Sequence, residues 1–426
     1  MPVRDRTWAR FATVRAAGPV APPDAETLRA QLRELARLDP GHPWLCRVDL
    51  TRGRLRPVTG SALDAFVDAV VREIDGDPGP ERLAREQLAE PLGELPFRLV
   101  LGRSSVALRS AHLLGDGAVV DRWFPALLAG GGASALRRRD TSRSPLLRAG
   151  LRRFGRHPLD AVRAVRGAFP LAPPAPPRTR EVPELGVPEV VTATVPAAEV
   201  ARLRAARDEG RTRASVAAQL MSRTAAALAR HGVVAEGALV MMDCRRYLGP
   251  GAAVTGNFAA GPYLDVDATN AEAMAAALAR ATDDAVPLVL LAAATARTGA
   301  LGLRRRLGGS PGVVSPSRVG VPVQPRLTLS YQGRLALDDL PWLDRKAARY
   351  LQAAQPAGPE GITVAFAPTS AGTQLTATAH PDVFDPALLR AALAEVAGEA
   401  VAGAQPVGSV EGGDSRMAVS ARRCPS

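Results

Sequence analysis

One histidine in this chain has neighbours that could make it a base. His112 directly follows an apolar, strand-like run at 106–111, and Asp116 and Gly117 come next, where an apolar helical pattern begins. A neutral imidazole at the end of a strand can take a proton from a hydroxyl or an amine. We expect Asp116 to anchor the loop through a buried ion pair, and Gly117 to supply the backbone freedom of the turn. The alternative is a structural histidine beside an aspartate that caps a helix.

The segment His112-Leu113-Leu114-Gly115-Asp116-Gly117 resembles the His-x-x-x-Asp-Gly motif of the chloramphenicol acetyltransferase-like superfamily. That superfamily includes nonribosomal-peptide condensation domains, polyketide-associated acyltransferases, wax ester synthases and plant acyltransferases. Condensation domains usually carry a second histidine just before the catalytic one, where this chain has Ala111. The Asp-Phe-Gly-Trp-Gly element of the plant enzymes is absent. The resemblance therefore indicates the superfamily rather than one of its branches.

Further along the chain, two more elements resemble the same superfamily. The resemblance implies that an arginine after the strand-like run 238–243 forms a salt bridge with Asp116; Arg245 matches by position, Arg246 is the second choice, and a pair of surface arginines is the alternative. Asn257 would either line the catalytic channel or only cap the turn that Gly256 begins. Two residues at the end of the strand-like run 326–331 are candidates for contacts with an oxyanion or a substrate, namely Ser330 and Tyr331.

Helical and strand-like patterns alternate along most of the chain, which predicts an α/β protein. Helices are expected at 24–38, 62–74, 197–209, 214–230, 270–282, 285–306 and 384–400, and a hairpin at 361–368 and 374–380. The resemblance implies two chloramphenicol-acetyltransferase-like halves, mixed sheets with flanking helices, in a V-shaped pseudo-dimer with a central channel. We place the halves at 1–168 and 189–402, a proline-rich linker at 169–188, and a disordered tail at 403–426.

The composition limits the other classes of function. The 426-residue chain carries a formal net charge of +12, yet its aromatic residues are few and are not interleaved with its arginines, which argues against nucleic-acid binding. Three scattered cysteines, Cys46, Cys244 and Cys424, lack metal-ligand spacing and predict free thiols in a reducing compartment. Neither a secretory signal nor a membrane-spanning run is visible, so we expect a cytoplasmic protein. From the cysteine spacing we expect no metal site.

A strongly basic stretch at 137–166 has two helical patterns that break at Pro158. Its apolar positions are expected to pack against the protein and its arginines to face solvent. The first interpretation is a solvated surface; the second is a docking surface for an acidic acyl carrier protein, and contact with an anionic membrane surface is the third.

The resemblance implies an acyltransferase of natural-product or lipid biosynthesis. His112 would be the general base that moves an acyl group from a thioester to a hydroxyl or amine of a small-molecule acceptor. No bound cofactor is expected, because acyl-CoA or an acyl group on a carrier's phosphopantetheine would be a substrate, and we expect a monomer. The alternative is an inactive condensation-like protein that binds carrier proteins.

Overall fold

The computed structural model describes residues 2–9, 11–49, 54–138, 140–168, 179–183, 185–306, 318–322, 324–333, 335 and 337–399. Outside these residues lie the predicted tail, linker residues 169–178 and Cys424. The elements before the linker are α1 (Val3–Arg6), β1 (Ala12–Gly18), α2 (Ala25–Leu38), β2 (Cys46–Asp49), β3 (Arg54–Pro57), α3 (Ala62–Val70), β4 (Val71–Glu73), α4 (Gly79–Ala89), β5 (Phe97–Leu101), β6 (Val106–Ala111), α5 (Gly117–Leu128), α6 (Gly132–Leu136), α7 (Pro145–Phe154) and α8 (Pro158–Gly167).

The later elements follow in chain order. They are β7 (Thr179–Pro183), β8 (Glu189–Pro196), α9 (Ala197–Asp208), α10 (Val216–Arg230), β9 (Ala238–Val240), β10 (Met242–Asp243), β11 (Ala259–Ala260), β12 (Tyr263–Leu264), α11 (Ala271–Asp283), α12 (Val286–Arg306), β13 (Arg318–Pro322), β14 (Arg326–Tyr331), β15 (Arg349–Ala354), β16 (Gly361–Thr369), β17 (Gly372–Ala379) and α13 (Pro386–Ala397).

Local sequence signals explain where several helices begin. Asp24 caps α2 by accepting a hydrogen bond from the Thr27 N–H at 2.8 Å, and Asp385 caps α13 in the same way, with Pro386 at the first helical position. Gly398, at φ +74°, ends α13 in the left-handed region that glycine favours. These two helices therefore follow the pattern that the sequence predicts.

Two mixed sheets form the centre of the protein. The first has the strand order β15-β1-β6-β5-β4, and the second has the order β12-β9-β14-β16-β17-β8. In the first sheet β4 and β5 are parallel; in the second β14 is parallel to both β9 and β16. Helices α10 and α13 cover the second sheet, and buried apolar side chains fill the space between. The predicted mixed α/β class is therefore confirmed.

Strand β15 joins the two sheets, and the sequence patterns did not predict it. It follows the linker in the chain, yet it pairs with β1 in the first sheet, with Gln352 directly opposite Arg15. It also contacts the second sheet, because Thr378 Oγ1 on β17 donates to the Ala354 carbonyl at 2.8 Å. This strand fixes one sheet against the other.

Two segments differ from their predicted structure. The helix expected at 62–74 ends at Val70, and β4 follows at once to pair with β5. Part of the expected linker forms a strand, since β7 pairs with β13 along its length. Both differences arise from pairing with distant strands, which local periodicity does not encode.

The basic stretch forms α7 and α8, but its apolar residues do not pack as expected. Leu147, Leu151 and Leu159 are 63%, 64% and 74% exposed. The two helices instead bury small residues, among them Ala149 and Ala164. The expectation of buried apolar faces is therefore wrong for these three leucines, although Leu146 and Phe154 of α7 pack against the apolar cluster around Phe258.

Among the described helices, none alone has the length and apolar character to cross a membrane. Helix α11 together with Val286–Gly302 passes that test of length and composition only as a pair bent by 61°. Cys46 and Cys244 are buried free thiols, and burial raises the pKa of Cys46 to about 11.

Candidate active site

His112 lies at the end of β6, at the edge of a cavity between the two halves. Its backbone N–H donates to the Phe11 carbonyl at 2.8 Å, which continues the pairing of β6 with β1. The cavity has a volume of about 620 Å³. Side chains of both halves line it, including Thr13 of β1 and Thr328 of β14. A substrate in this cavity would reach His112.

The indole of Trp8 covers one face of the His112 ring. The two rings are stacked, with centroids 4.4 Å apart and planes 15° apart. Burial lowers the pKa of His112, and the nearby charge of Arg15 lowers it further. A hydrogen bond to the His112 backbone and the charge of Asp116 raise the pKa but do not outweigh burial. The ring is therefore neutral at pH 7, the form that can accept a proton.

The two ring nitrogens of His112 are in different surroundings. Nδ1 is buried and has no partner among the other described residues, while a hydrogen bond to the residue's own backbone acts on the ring. Nε2 remains accessible from the cavity. In the tautomer with its proton on Nδ1, the lone pair of Nε2 faces the space that a substrate would occupy.

Asp116 and Arg245 form a bidentate ion pair between the halves. Arg245 Nη1 lies 2.9 Å from Asp116 Oδ2, and Nη2 lies 3.1 Å from Oδ1. Asp116 also accepts from the Phe258 N–H at 2.7 Å, and its side chain does not cap α5. Arg246 instead points to Thr282, at 3.2 Å. Of the alternatives that the sequence leaves open, the geometry has Arg245 as the partner of Asp116.

Further acceptors surround the guanidinium of Arg245. Its Nη2 donates to the carbonyls of Gly256 at 2.9 Å and Val254 at 3.1 Å, and Nη1 lies 3.0 Å from Asp243. Burial would lower the pKa of Arg245, but Asp116 and Asp243 outweigh this effect and raise it. One side chain thus holds both the motif aspartate and the loop before Asn257.

Asn257 fastens the backbone of His112. Its Nδ2 donates to the His112 carbonyl at 2.8 Å and to Asp5 Oδ1 at 3.3 Å, and its backbone N–H donates to the same Asp5 oxygen at 2.8 Å. Both hydrogens of the amide are therefore in use, which leaves none for an oxyanion. Asn257 lines the cavity, but its contacts are those of a positioning residue.

Gly117 does not have the positive φ that glycine favours, and what its missing side chain leaves is space beside the end of the Gln332 side chain. It is the first residue of α5, and a Cβ atom there would lie 2.8 Å from Oε1 of Gln332. Gln332 in turn donates to Ser330 Oγ at 3.0 Å. Ser330 and Tyr331 both line the cavity, and burial raises the pKa of Tyr331. The expectation about Gly117 is thus corrected, and Ser330 is already in contact with Gln332.

Within the described part of the chain, no three His, Cys, Asp or Glu side chains lie close enough together to hold a metal ion.

Comparisons with known proteins bear on the fold. No protein-family model and no curated protein matches this sequence. Solved structures do match. The trichothecene 15-O-acetyltransferase TRI3 from Fusarium sporotrichioides has a TM-score of 0.59 and 10% identity, over 92% of this chain and 91% of that chain.

Condensation domains match as well. The first condensation domain of the calcium-dependent antibiotic synthetase, in complex with a substrate analogue, has a TM-score of 0.54 and 19% identity over 92% of both chains. A mutant of the starter condensation domain of rhizomide synthetase, in complex with C8-CoA, has a TM-score of 0.51 and 14% identity over 92% of this chain and 90% of that one. This chain has the fold of these condensation domains and of this acetyltransferase. The predicted α/β fold with two halves is confirmed.

Three features of the site were not predicted from the sequence. Trp8 and Asp5 precede the first strand. Trp8 reaches His112, and Asp5 reaches Asn257, only because α1 packs on the turn at 112–114 and on α12. Arg15 is the third. It was detectable as the one charged residue in the strand ATVRAAG, since a buried arginine needs a partner.

The partner of Arg15 is Asp121 on α5, at 2.5 Å from Nε to Oδ1. Tyr350 and Gln352 of β15 bind the same carboxylate, each at 2.9 Å. Arg15, Asp121 and Gln352 line the cavity, whereas Tyr350 does not. The wall of the cavity therefore contains a buried polar cluster in addition to the His112 motif.

Proposed function

We propose that this protein transfers an acyl group from a thioester to a hydroxyl or amine acceptor, with His112 as general base. The observation that carries this proposal is the neutral His112 ring, with an accessible Nε2, at a cavity between two halves. A starter condensation domain in complex with C8-CoA and an O-acetyltransferase share the fold, which supports a thioester donor and a hydroxyl acceptor.

The chemistry starts with the acceptor. Its O–H or N–H proton passes to Nε2 of His112 as the oxygen or nitrogen bonds to the thioester carbonyl carbon. The resulting tetrahedral oxyanion collapses, the C–S bond breaks, and the thiolate takes the proton back from His112. The protein ends unchanged, with an ester or amide and a free thiol as products.

The start of α5 would stabilise the oxyanion. Gly117 and Ala118 line the cavity beside the motif, and the first N–H groups of a helix have no acceptor within it. A Cβ at residue 117 would narrow this space against Gln332. Asp116, Arg245 and Asn257 keep the loop in place but do not touch the reacting atoms.

The acyl handle would be coenzyme A or the phosphopantetheine of an acyl carrier protein. Carrier proteins are acidic, and α7, α8 and the turn between them present exposed leucines among exposed arginines, including Arg148 and Arg156. This combination supports the carrier interpretation of the basic stretch over a plain solvated surface. Because one chain supplies both halves of the cavity, we propose that a monomer is active.

The test is thioester cleavage by His112→Ala across a panel of acyl-CoA esters, acylated carrier proteins, alcohols and amines. Turnover should fall at least about a hundredfold, the usual share of a positioned general base. His157→Ala is the matched control, since His157 is exposed at the start of α8. Equal rates for His112→Ala and wild type would refute the base. Carrier binding without turnover by wild type would favour the inactive, carrier-binding alternative.

A further inference from the structure

The polar cluster around Asp121 lies on the cavity side of the first sheet, and none of its members acts in the transfer step. Arg15 on β1 and Gln352 on β15 are direct neighbours in register, and each is at most 4% exposed. Asp121 reaches them from α5 and is 3% exposed. Burying so many polar groups is costly unless each finds a partner.

One buried acceptor of the cluster has no partner. Gln352 Nε2 donates to Asp121 Oδ2 at 2.9 Å, but Gln352 Oε1 is buried without a hydrogen bond in the described part of the chain. Turning the amide round would place its oxygen against the carboxylate, so the orientation is fixed. The atom left over is thus an acceptor, on a residue that lines the cavity.

The charges of the cluster cancel. Asp121 accepts from Arg15 Nε, from the Tyr350 hydroxyl and from Gln352, so its carboxylate is fully used. Its charge is balanced by the guanidinium of Arg15. A ligand that meets Gln352 Oε1 therefore needs to supply a neutral donor rather than a counter-charge.

The cluster lies further along the first sheet than the base, yet near enough for the charge of Arg15 to lower the pKa of His112. The Phe11 carbonyl accepts from the His112 N–H, and Arg15 follows four residues further along the strand. At about 3.3 Å per residue in a strand, the Cα atoms of Phe11 and Arg15 are about 13 Å apart. Thr13, between them, has its hydroxyl 3.2 Å from that of Ser110.

We propose that Arg15, Asp121 and Gln352 form a polar subsite in the cavity wall for a hydroxyl or amide N–H of the substrate. The inference rests on the proposed function and adds the class of substrate to it. A plain alkyl chain would leave Gln352 Oε1 unpaired, and a charged group would meet an ion pair that is already neutral. The substrate therefore carries a neutral donor at its far end.

Binding to the full-length protein tests the subsite. Each ω-hydroxyacyl-CoA of eight, ten or twelve carbons is compared by calorimetry with the unsubstituted acyl-CoA of equal length. At the matching length the hydroxyl should tighten binding about three- to tenfold, the worth of one hydrogen bond. A second arm compares α,ω-diols with simple alcohols of equal length. A preference in the first arm assigns the donor group to the acyl chain, and one in the second arm assigns it to the acceptor.

Two variants separate recognition from stability. Gln352→Met removes the open acceptor and should abolish the preference, whereas Tyr350→Phe removes a hydrogen bond to the same carboxylate outside the cavity and should keep it. Equal loss in both variants would reduce the cluster to a structural role, and no preference by wild type in either arm would overturn the subsite. The wild-type comparison holds even if Gln352→Met does not fold. Thioester cleavage that still depends on His112 would leave the proposed function intact when the subsite fails.

Discussion

Arginines occupy two contrasting regions of this protein. In the cleft between the halves, Arg245 is 16% exposed and contacts two carboxylates and two backbone carbonyls. On α7 and in the turn between α7 and α8, Arg148 and Arg156 are exposed beside exposed leucines. A buried charge stabilises the structure, because its removal leaves the opposite charge buried without a partner. An exposed charge acts mainly on the rate at which the protein meets other molecules. The following experiments probe that contrast, starting from the cleft.

Neutralising one member of the buried pair should have the largest effect on stability. Asp116→Asn or Arg245→Met alone strands a charge and should lower the free energy of unfolding by about 3–5 kcal/mol. The double variant should cost clearly less than the sum, as measured by denaturant unfolding in a double-mutant cycle. Arg246→Met, whose partner is the Thr282 hydroxyl, is the control and should cost much less. Strict additivity would show that the pair is not coupled and would remove the contrast with the surface.

Asp5 offers a second, pH-dependent measure of burial in the cleft. Burial raises its pKa to about 6, with Asp116 adding to the shift, while Arg4 and Asn257 act against it. The unfolded carboxyl releases its proton near 4, so between about pH 4 and 6 the folded state binds more protons. Stability should therefore fall as the pH rises through this window, by up to about 3 kcal/mol in total.

Asp5→Asn keeps an oxygen for the two Asn257 donors and should lack this component of the pH dependence. Denaturant unfolding between pH 4 and 7 measures it. Asp208→Asn, at an exposed position at the end of α9, is the control and should retain the wild-type slope. An unchanged slope in Asp5→Asn would mean that the carboxyl is solvated, contrary to its 3% exposure.

Trp8 tests whether burial sets the protonation of the base. Burial is the main cause of the lowered pKa of His112, and the indole covers one face of the ring. Trp8→Ala should admit water and move the acid limb of the kcat/KM profile upward, so that activity is lost at a higher pH than in wild type. Trp8→Phe keeps a ring and should stay near the wild-type profile. A downward shift in Trp8→Ala would show instead that the indole stabilises the imidazolium.

How far the sequence predicts the site depends on where the signal lies. The His112 motif is readable because strand, turn and helix follow each other within a few residues. The partner Arg245 could be placed by resemblance and chain order, although 129 residues separate it from Asp116. Gly117 was recognised for the wrong reason, because the space it leaves is filled by Gln332, which no local pattern links to it.

Other parts depend on strand order and on packing, which the sequence does not encode locally. Arg15, Asp121 and Gln352 come together only because β15 pairs with β1, and β15 has no periodicity that predicts its partner. The exposure of Leu147 and Leu151 also depends on which face of α7 meets the protein. A helical pattern identifies an apolar face but not what covers it.

The exposed arginines give the smallest expected effect. Arg153 donates to Asp160 at 2.9 Å and to the Asp283 carbonyl at 2.6 Å, and Arg152 lies against Gly249. A substitution of either arginine would therefore disturb the structure as well as any docking surface. Arg148→Glu with Arg156→Glu changes exposed charges only. If an acidic carrier docks here, the apparent KM for a carrier-bound donor should rise several-fold, and the rise should shrink at high salt because such charges act through long-range attraction.

Two controls make this last result specific. The same acyl group on free coenzyme A should be used as well as by wild type, since a small handle does not need the surface of α7 and α8. Arg207→Glu, at an exposed position on α9, should leave the KM for both donors unchanged. Because the apolar contacts through Leu147 and Leu151 remain, the charge reversal should weaken docking without abolishing it. Equal effects on both donors, or none on either, would return α7 and α8 to a solvated surface.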